Sequence, residues 1–269
     1  MRGPSRASYA ELRERLAATV PGAPLATKVG DELFAVTRLL DSEHGLRRAL
    51  ADPTKPGEEK SALVTRLLHG RVEQTTADLA AAAAAARWGS SGDLADAIEQ
   101  LAIEALTLAA QFDGTLDDLE DDLFRFGRVV SGQPNLRSAL TGPVSEPAKQ
   151  ELLRNLLATK VSTTSLSLIT QLLTHTRGRS PQAALDLAAS IAAHRREELI
   201  AVVRVATELT PQHRQRLARM LATQYGRGVH LNIVLDPAVV GGMSVQIGDE
   251  LIDGTAASRL AEVRRRLAS

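Results

Sequence analysis

The stretch DELFAVTRLLDSEHGLRRALADP, Asp31 to Pro53, returns 90 residues later as DDLFRFGRVVSGQPNLRSALTGP, Asp121 to Pro143. Two helices rich in leucine and alanine agree at a few positions by chance, but chance does not bring phenylalanine, arginine and proline into one frame. The chain therefore carries a duplicated helical unit. The residues that coincide without a gap include Leu33/Leu123, Phe34/Phe124, Arg38/Arg128, Leu46/Leu136, Arg47/Arg137, Ala49/Ala139, Leu50/Leu140 and Pro53/Pro143.

Both copies have the pattern of several short helices. After one deletion the match continues more weakly, with RLLHGRVEQTTADL (66–79) over NLLATKVSTTSLSL (155–168). Apolar residues recur at helical spacing in both copies, and glycine or proline interrupts them. The run Ala80 to Ala86 has high helix propensity and lets backbones approach closely, so we expect it to form a buried seam between helices.

A further helix precedes the first copy. Ser8-Tyr9-Ala10-Glu11 has the spacing of a capping box, in which the Ser and Glu side chains bind amides of the first turn. This spacing predicts a helix that begins at Ser8 and ends near Pro21-Gly22.

Composition limits the classes of function. The 269 residues are 44% apolar and only 3% aromatic, which favours a core of closely packed helices over a β-sandwich. Lys plus Arg (32) balances Asp plus Glu (32), so the chain lacks the net positive charge that nucleic-acid binding requires. The absence of cysteine excludes disulfides and thiol catalysis. No apolar run approaches the roughly 18 residues of a membrane helix, so we expect no direct membrane insertion.

The pattern changes near residue 200. LIAVVRVATELT (199–210) is rich in β-branched residues and predicts a strand. Thr210-Pro211 predicts the start of a helix, with Leu217, Met220 and Leu221 on one side. The segments HLNIVL, MSVQI and ELI predict short strands. The last segment, TAASRLAEVRRRLAS, predicts a helix with one apolar face formed by Leu260, Val263 and Leu267.

The expected fold class is therefore mainly α, with two tandem helical-bundle units followed by a small α/β C-terminal module. We expect three domains: an extra helical repeat at 1–104, a second helical bundle at 105–200 and the α/β module at 201–269.

The stretch DPAVVGGMSVQIGDELIDGT, Asp236 to Thr255, offers the strongest alternative, because its Gly241-Gly242 pair could be a phosphate-binding loop. Such loops lead from a strand into the N-terminus of a helix. Here the pair is followed by the strand-like MSVQI, so we interpret it as a bend between strands. The six histidines are scattered without metal-ligand spacing. We predict no catalytic, cofactor or metal site.

The segment LNIVLDPAVVGGMSVQIGDELIDGTAASRLAEVRRRL resembles the C-terminal signature of the ATP synthase delta subunit family, known in mitochondria as the oligomycin-sensitivity-conferring protein. The family pattern is a strand that ends in an acidic residue, then a Gly-Gly pair, a short strand, and Asp-Gly-Ser/Thr before the last helix. The signature residues are Asp236, Gly241, Gly242, Gly248, Asp253 and Gly254. Upstream, LRSALTGPVSEPAKQELLRNLL and THTRGRSPQ are similar to the family's helices and its Gly-Arg turn.

This resemblance implies a non-catalytic stator component of the F-type proton-translocating ATP synthase. It implies that the helical domain binds the N-terminal helix of an alpha subunit and that the C-terminal module binds the b subunits, with Leu260, Val263 and Leu267 as the expected contact. It also implies a monomer within a large complex, peripheral to the bacterial cell membrane on its cytoplasmic side.

The first copy departs from the family pattern, because a usual member has one helical domain. Long, duplicated delta chains are typical of actinobacteria, and the Arg-rich, Lys-poor composition agrees with that source. We assign the family's helical role to the second copy, since it adjoins the signature, and leave the role of the first copy open. The alternatives are a helical-repeat adaptor of another complex, which has no reason to carry the Gly-Gly signature, and a nucleotide-binding enzyme.

Overall fold

The computed structural model describes residues 3–197, 199–207, 209–226, 228–236, 239, 241–247 and 250–253. The chain divides into two compact units, Met1–Ala193 and His194–Ser269. The described part of the first unit is helical, and the described part of the second contains a four-stranded sheet with one helix. The expected fold class is confirmed.

The first repeat follows an N-terminal helix. The N-terminal helix is α1 (Pro4–Thr19). The first repeat consists of α2 (Ala23–Ser42), α3 (His44–Ala51), α4 (Gly57–Leu68), α5 (Gln74–Ala85) and α6 (Ser91–Phe112). The expected start of α1 at Ser8 is wrong, because Pro4 occupies the first turn, where its missing N–H costs nothing. Ser8 is buried, and its hydroxyl donates to the carbonyl of Arg87, 2.9 Å away. Its side chain therefore makes a tertiary contact instead of a cap.

The second repeat has the same order of helices. It consists of α7 (Leu116–Gly132), α8 (Pro134–Thr141), α9 (Glu146–Leu157), α10 (Thr163–Thr174) and α11 (Pro181–Glu197). The short helices α3 and α8 have 8 residues each, and α4, α5, α9 and α10 have 12 each. This agreement in length and order supports the duplication inferred from the sequence.

Helix α6 lies at the centre of the helical unit. It is buried on all sides from Leu101 to Ala110, as expected for a helix without a polar face. The N-terminal helix α1 packs against it, as do α2 and α5 of the first repeat and α7 and α10 of the second repeat. The expected boundary at 104/105 falls within this continuous helix, so the two repeats share one apolar core. The division into three domains stays a prediction.

Two close helix contacts depend on small residues. A Cβ added to Gly30 in α2 would lie 2.8 Å from Cγ of Leu106 in α6. Ala80, Ala81, Ala83 and Ala84 of α5 are buried in the apolar core, which confirms the predicted alanine seam for this part of the run. A Cβ at Gly57, the first residue of α4, would lie 2.8 Å from the Ala85 carbonyl oxygen.

The C-terminal unit is a small mixed sheet. Its elements are β1 (Leu199–Val205), α12 (Pro211–Tyr225), β2 (Val229–Leu235), β3 (Met243–Ile247) and β4 (Glu250–Asp253), and the strand order is β2-β1-β3-β4. Strand β2 is parallel to β1 because α12 makes the crossover between them, and the other pairs are antiparallel.

Helix α12 begins and ends as the sequence predicts. The Thr210 hydroxyl accepts a hydrogen bond from the His213 N–H at 3.2 Å, and Gly226 ends the helix at a φ of 66°. Leu217 and Leu221 are buried and belong to the apolar cluster of the sheet. Met220 does not share this burial, since 57% of its surface is exposed, so grouping it with Leu217 and Leu221 is wrong.

Candidate partner-binding surfaces

The glycine pair of the C-terminal unit forms a bend before a strand. Gly241 and Gly242 have φ values of 71° and 79°, in the left-handed region that favours glycine. The Gly241 N–H donates to the Val239 carbonyl at 3.0 Å, and β3 begins at Met243. The amides therefore do not lie at the N-terminus of a helix, and the interpretation as a bend is confirmed.

The described signature residues lie at one end of the sheet. Asp236 follows β2, and its N–H donates to the Val205 carbonyl at 2.9 Å, which extends the pairing of β1 with β2. Met243, directly after the glycine pair, also pairs with Val205, and Asp253 pairs with the next residue of β3. The other predicted site residues, Gly248, Gly254, Leu260, Val263 and Leu267, lie outside the described residues.

Exposed apolar side chains lie on the C-terminal unit. Val234 and Leu251 are 38% and 59% exposed. Val234 pairs with Arg204, and Leu251 pairs with Gln246, at positions that alternate with the buried Val203 and Val245. The two side chains therefore lie on the sheet face opposite α12, where a partner protein could cover them.

The helical unit has an apolar groove in its first repeat. The groove is shallow and lies between α2, α3, α4, α5 and α6, and its lining side chains are all apolar. Leu39 and Leu67 are 37% and 36% exposed at its rim, and Leu46 is half-buried beside them. We call these three residues the first apolar edge.

The second repeat has an equivalent edge. The residues at the matching positions of α7, α8 and α9 are Val129, Leu136 and Leu156, and we call them the second apolar edge. Val129 is 43% exposed, and the other two are half-buried. The sequence analysis did not predict either edge. The available signal was that both repeats have apolar residues at the same outward-facing positions.

A cluster of ion pairs joins the two repeats. Arg177, in the turn between α10 and α11, lies 2.7 Å from Asp41 of α2. It also lies 2.8 Å from Asp96 and 2.9 Å from Glu99, both in α6. Arg179 forms a second ion pair with Glu99. The side chains of Arg177, Asp41 and Glu99 are 10%, 17% and 2% exposed, so the pairs of Arg177 with Asp41 and Glu99 are largely shielded from solvent.

The charges of this cluster shift the pKa values of its members. Burial raises the pKa of Asp41, but its hydrogen bonds and ion pairs with Arg177 and His175 outweigh burial and lower the pKa below the ordinary value. Burial also lowers the pKa of Arg177, and the charges of Glu99 and Asp41 outweigh this and raise it. Both groups are therefore charged at neutral pH.

A second polar contact between the repeats lies nearer the start of α2. The Ser167 hydroxyl of α10 donates to Oδ1 of Asp31 at 3.0 Å, and Nε2 of Gln171 donates to the same oxygen at 3.1 Å. Nη1 of Arg38 donates to Oε1 of Gln171 at 2.7 Å. Side chains of α10 thus provide hydrogen-bond partners for both an acidic and a basic residue of α2.

The described residues give little support to a metal or membrane site. Within the described ranges, no three His, Asp or Glu side chains are arranged to hold a metal ion. None of the helices in the described ranges combines the length and hydropathy needed to cross a bilayer.

Comparison with known proteins identifies relatives along the whole chain. The family model described as ATP synthase delta (OSCP) subunit matches residues 103–267. Proteins named ATP synthase subunit delta are 48% identical in Streptomyces griseus, 46% in Thermobifida fusca and 45% in Acidothermus cellulolyticus, and each match covers 100% of both chains. These actinobacterial relatives therefore share the first repeat, which lies almost entirely outside the family model.

A chain of the Toxoplasma gondii mitochondrial ATP synthase hexamer is also similar, at 18% identity. The match covers 62% of this chain and 95% of that one, with a TM-score of 0.29, which is too low for an argument from shape.

Proposed function

The chain belongs to the ATP synthase delta (OSCP) subunit family, and on this premise we propose that it is a non-catalytic peripheral-stalk subunit of an F-type ATP synthase. The observation that supports this most strongly is the identity of 45–48% over the full length of proteins with that name. The subunit would act at the periphery of the membrane-bound complex, on the cytoplasmic side of the bacterial membrane.

Such a subunit needs contacts and no chemistry. A rotary motor delivers torque to its catalytic head, so the head must be held against rotation by a stationary arm. Two kinds of module in one chain suit this task, because one can bind the head while the other binds the arm. The helical unit and the sheet unit each have exposed apolar side chains for such contacts.

We assign the contact with the head to the second repeat. The second apolar edge has three apolar side chains on consecutive helices, which suits the apolar face of an amphipathic helix. The N-terminal helix of an alpha subunit is the proposed ligand. The family model matches the second repeat and begins at residue 103, which supports this choice over the first repeat.

The matched edges of the two repeats provide the test. Val129→Asp and Leu39→Asp place the same charge at equivalent, exposed positions, so both variants are expected to fold. Titration calorimetry of the full-length chain with a synthetic alpha N-terminal peptide is expected to show at least tenfold weaker binding for Val129→Asp and unchanged binding for Leu39→Asp. The reverse result would transfer the head contact to the first repeat.

A further inference from the structure

Two residues of α2 contact the second repeat from one stripe of the helix, and a buried aromatic residue lies between them. Asp31 and Arg38 bind Ser167 and Gln171 of α10, as described above. Phe34 lies between them at helical spacing and is only 4% exposed. Acid, aromatic ring and base thus form one strip along α2, and its acid and base bind the second repeat.

Helix α7 has the same three residues at the equivalent positions. They are Asp121, Phe124 and Arg128, and all three are exposed. Phe124 is 62% exposed, which is the largest exposed fraction among the big apolar side chains of the described residues. The strip is therefore covered on α2, where its acid and base bind the second repeat, and open on α7.

The duplication explains this difference. In a tandem array each repeat packs against the next through the same face, and the last repeat has no following repeat to cover that face. We propose that the strip Asp121, Phe124 and Arg128 binds a helix of a partner protein that reproduces the chemistry of α10. That helix would have a hydroxyl residue and a glutamine four positions apart, next to apolar residues that cover Phe124.

The contacts of α2 define what each residue of the strip would do. Asp121 would accept hydrogen bonds from the hydroxyl and from the amide N–H of the partner, and Arg128 would donate to its amide oxygen. In the chain as described, Arg125 lies 2.7 Å from Asp121 in an exposed pair one turn away. Exposed pairs of this kind contribute little to stability, so a partner can replace this one at small cost.

A second copy of this chain is a poor occupant. The α10 side chains that it would need to offer, Ser167 and Gln171, already bind Asp31 and Arg38 within the same chain. The occupant is therefore a helix of another protein.

Phe124, the centre of the strip, lies on a different side of α7 from Val129, which is assigned to the alpha subunit contact. Val129 lies five residues from Phe124, which places it about 140° around α7 at 100° per residue. The two surfaces can therefore be changed one at a time, and the strip can be tested without the proposed function.

The experiment uses α10 itself as the probe. A helix-stapled peptide of residues 161–176 is titrated against the full-length chain, and we expect saturable binding. Phe124→Ala is expected to weaken the binding at least tenfold, and so is a peptide in which Ser167 and Gln171 are both alanine. Phe112→Ala is the control, because Phe112 is 43% exposed at the end of α6 and lies outside the strip.

Three outcomes would overturn the proposal. They are no binding of the peptide, equal loss in Phe124→Ala and Phe112→Ala, and dimers of the chain in sedimentation that Phe124→Ala abolishes. The calorimetry with the alpha peptide uses other variants, so a failure here leaves that assignment intact.

Discussion

At the scale of single residues, Arg177 carries the most unusual combination of features. Its φ of 54° lies in the left-handed region, which costs a non-glycine residue about 1 kcal/mol or more. The ion pairs with Asp41, Asp96 and Glu99 offset this cost, and they hold the turn after α10 against α2 and α6. The backbone strain is therefore tied to the contact between the repeats.

The pH dependence of stability follows from Asp41. Its pKa is lowered in the folded chain, so its contribution is present above the ordinary pKa of about 3.8 and is lost as pH falls through the lowered value. We expect Asp41→Asn to reduce the free energy of unfolding by about 2 kcal/mol at pH 7, and by progressively less as the pH falls below about 3.8. Urea titration followed by fluorescence measures this, because the single Trp88 is buried in the helical unit.

A matched variant controls for loss of an exposed charge. Asp121→Asn removes a carboxylate from an exposed i,i+4 pair, and it is expected to change stability by less than about 0.5 kcal/mol at either pH. A difference between wild type and Asp41→Asn that stays constant from pH 7 to pH 3 would contradict the role given to the Asp41 charge.

The sequence predicts some of these residues and not others. The Gly241-Gly242 bend could be predicted because glycine pairs and strand propensity are local signals. The Gly-Arg turn was visible as a motif, but its partners were not, since Arg177 pairs with residues 78 to 136 positions away. The prediction that Ser8 caps α1 was wrong for the same reason, because its hydrogen bond to the distant Arg87 is not encoded by local spacing.

At the scale of elements, the crossing of α2 and α6 depends on Gly30. Valine at this position would force side-chain carbons into Leu106 and towards the Ala102 carbonyl, 3.2 Å from an added Cβ. We expect Gly30→Val to reduce the free energy of unfolding by about 1–3 kcal/mol, as overpacking of a core does. The Trp88 fluorescence transition in urea measures the change.

Gly45 of α3 provides the control for this prediction. A Cβ added there meets no atom within 4 Å, so Gly45→Val is expected to alter stability by about 0.5 kcal/mol or less. Equal effects of the two substitutions would mean that helix propensity, and not the close crossing, decides the outcome at Gly30.

The order of the elements could largely be predicted, because helical periodicity and the repeat are strong signals. It was harder to predict which side of each helix is buried. Met220 has the spacing of a core residue in α12, yet only Leu217 and Leu221 are buried, since the small sheet covers a narrow part of the helix. The packing of both repeats around α6 depends on contacts between distant segments, which periodicity does not report.

At the scale of the whole molecule, the proposed division of labour assigns the b subunits to the C-terminal unit. The predicted final helix presents Leu260, Val263 and Leu267 on one face. We expect Leu260→Asp to reduce binding to a soluble b fragment at least tenfold while the Trp88 unfolding transition stays unchanged. Ser258→Asp, which helical spacing places on the opposite face, is the control. Undiminished b binding by a folded Leu260→Asp variant would refute the assignment.

The first repeat has a separate proposed role along the stalk. We propose that it extends the contact with the b subunits, because the relatives that share it cover its whole length and the family model begins only at residue 103. A photocrosslinker at Leu39, on the exposed first apolar edge, is expected to react with b in purified complexes. Crosslinks from this position to other subunits alone would refute the proposal.

The continuity of α6 has a mechanical consequence for a subunit that resists rotation. Its 22 residues form a rod of about 33 Å, and helices of both repeats pack against this rod. A flexible core element would stretch under each power stroke and store the displacement, whereas an unbroken ladder of peptide hydrogen bonds deforms very little. Strain entering at either repeat would therefore spread through the pair as through a single stiff body.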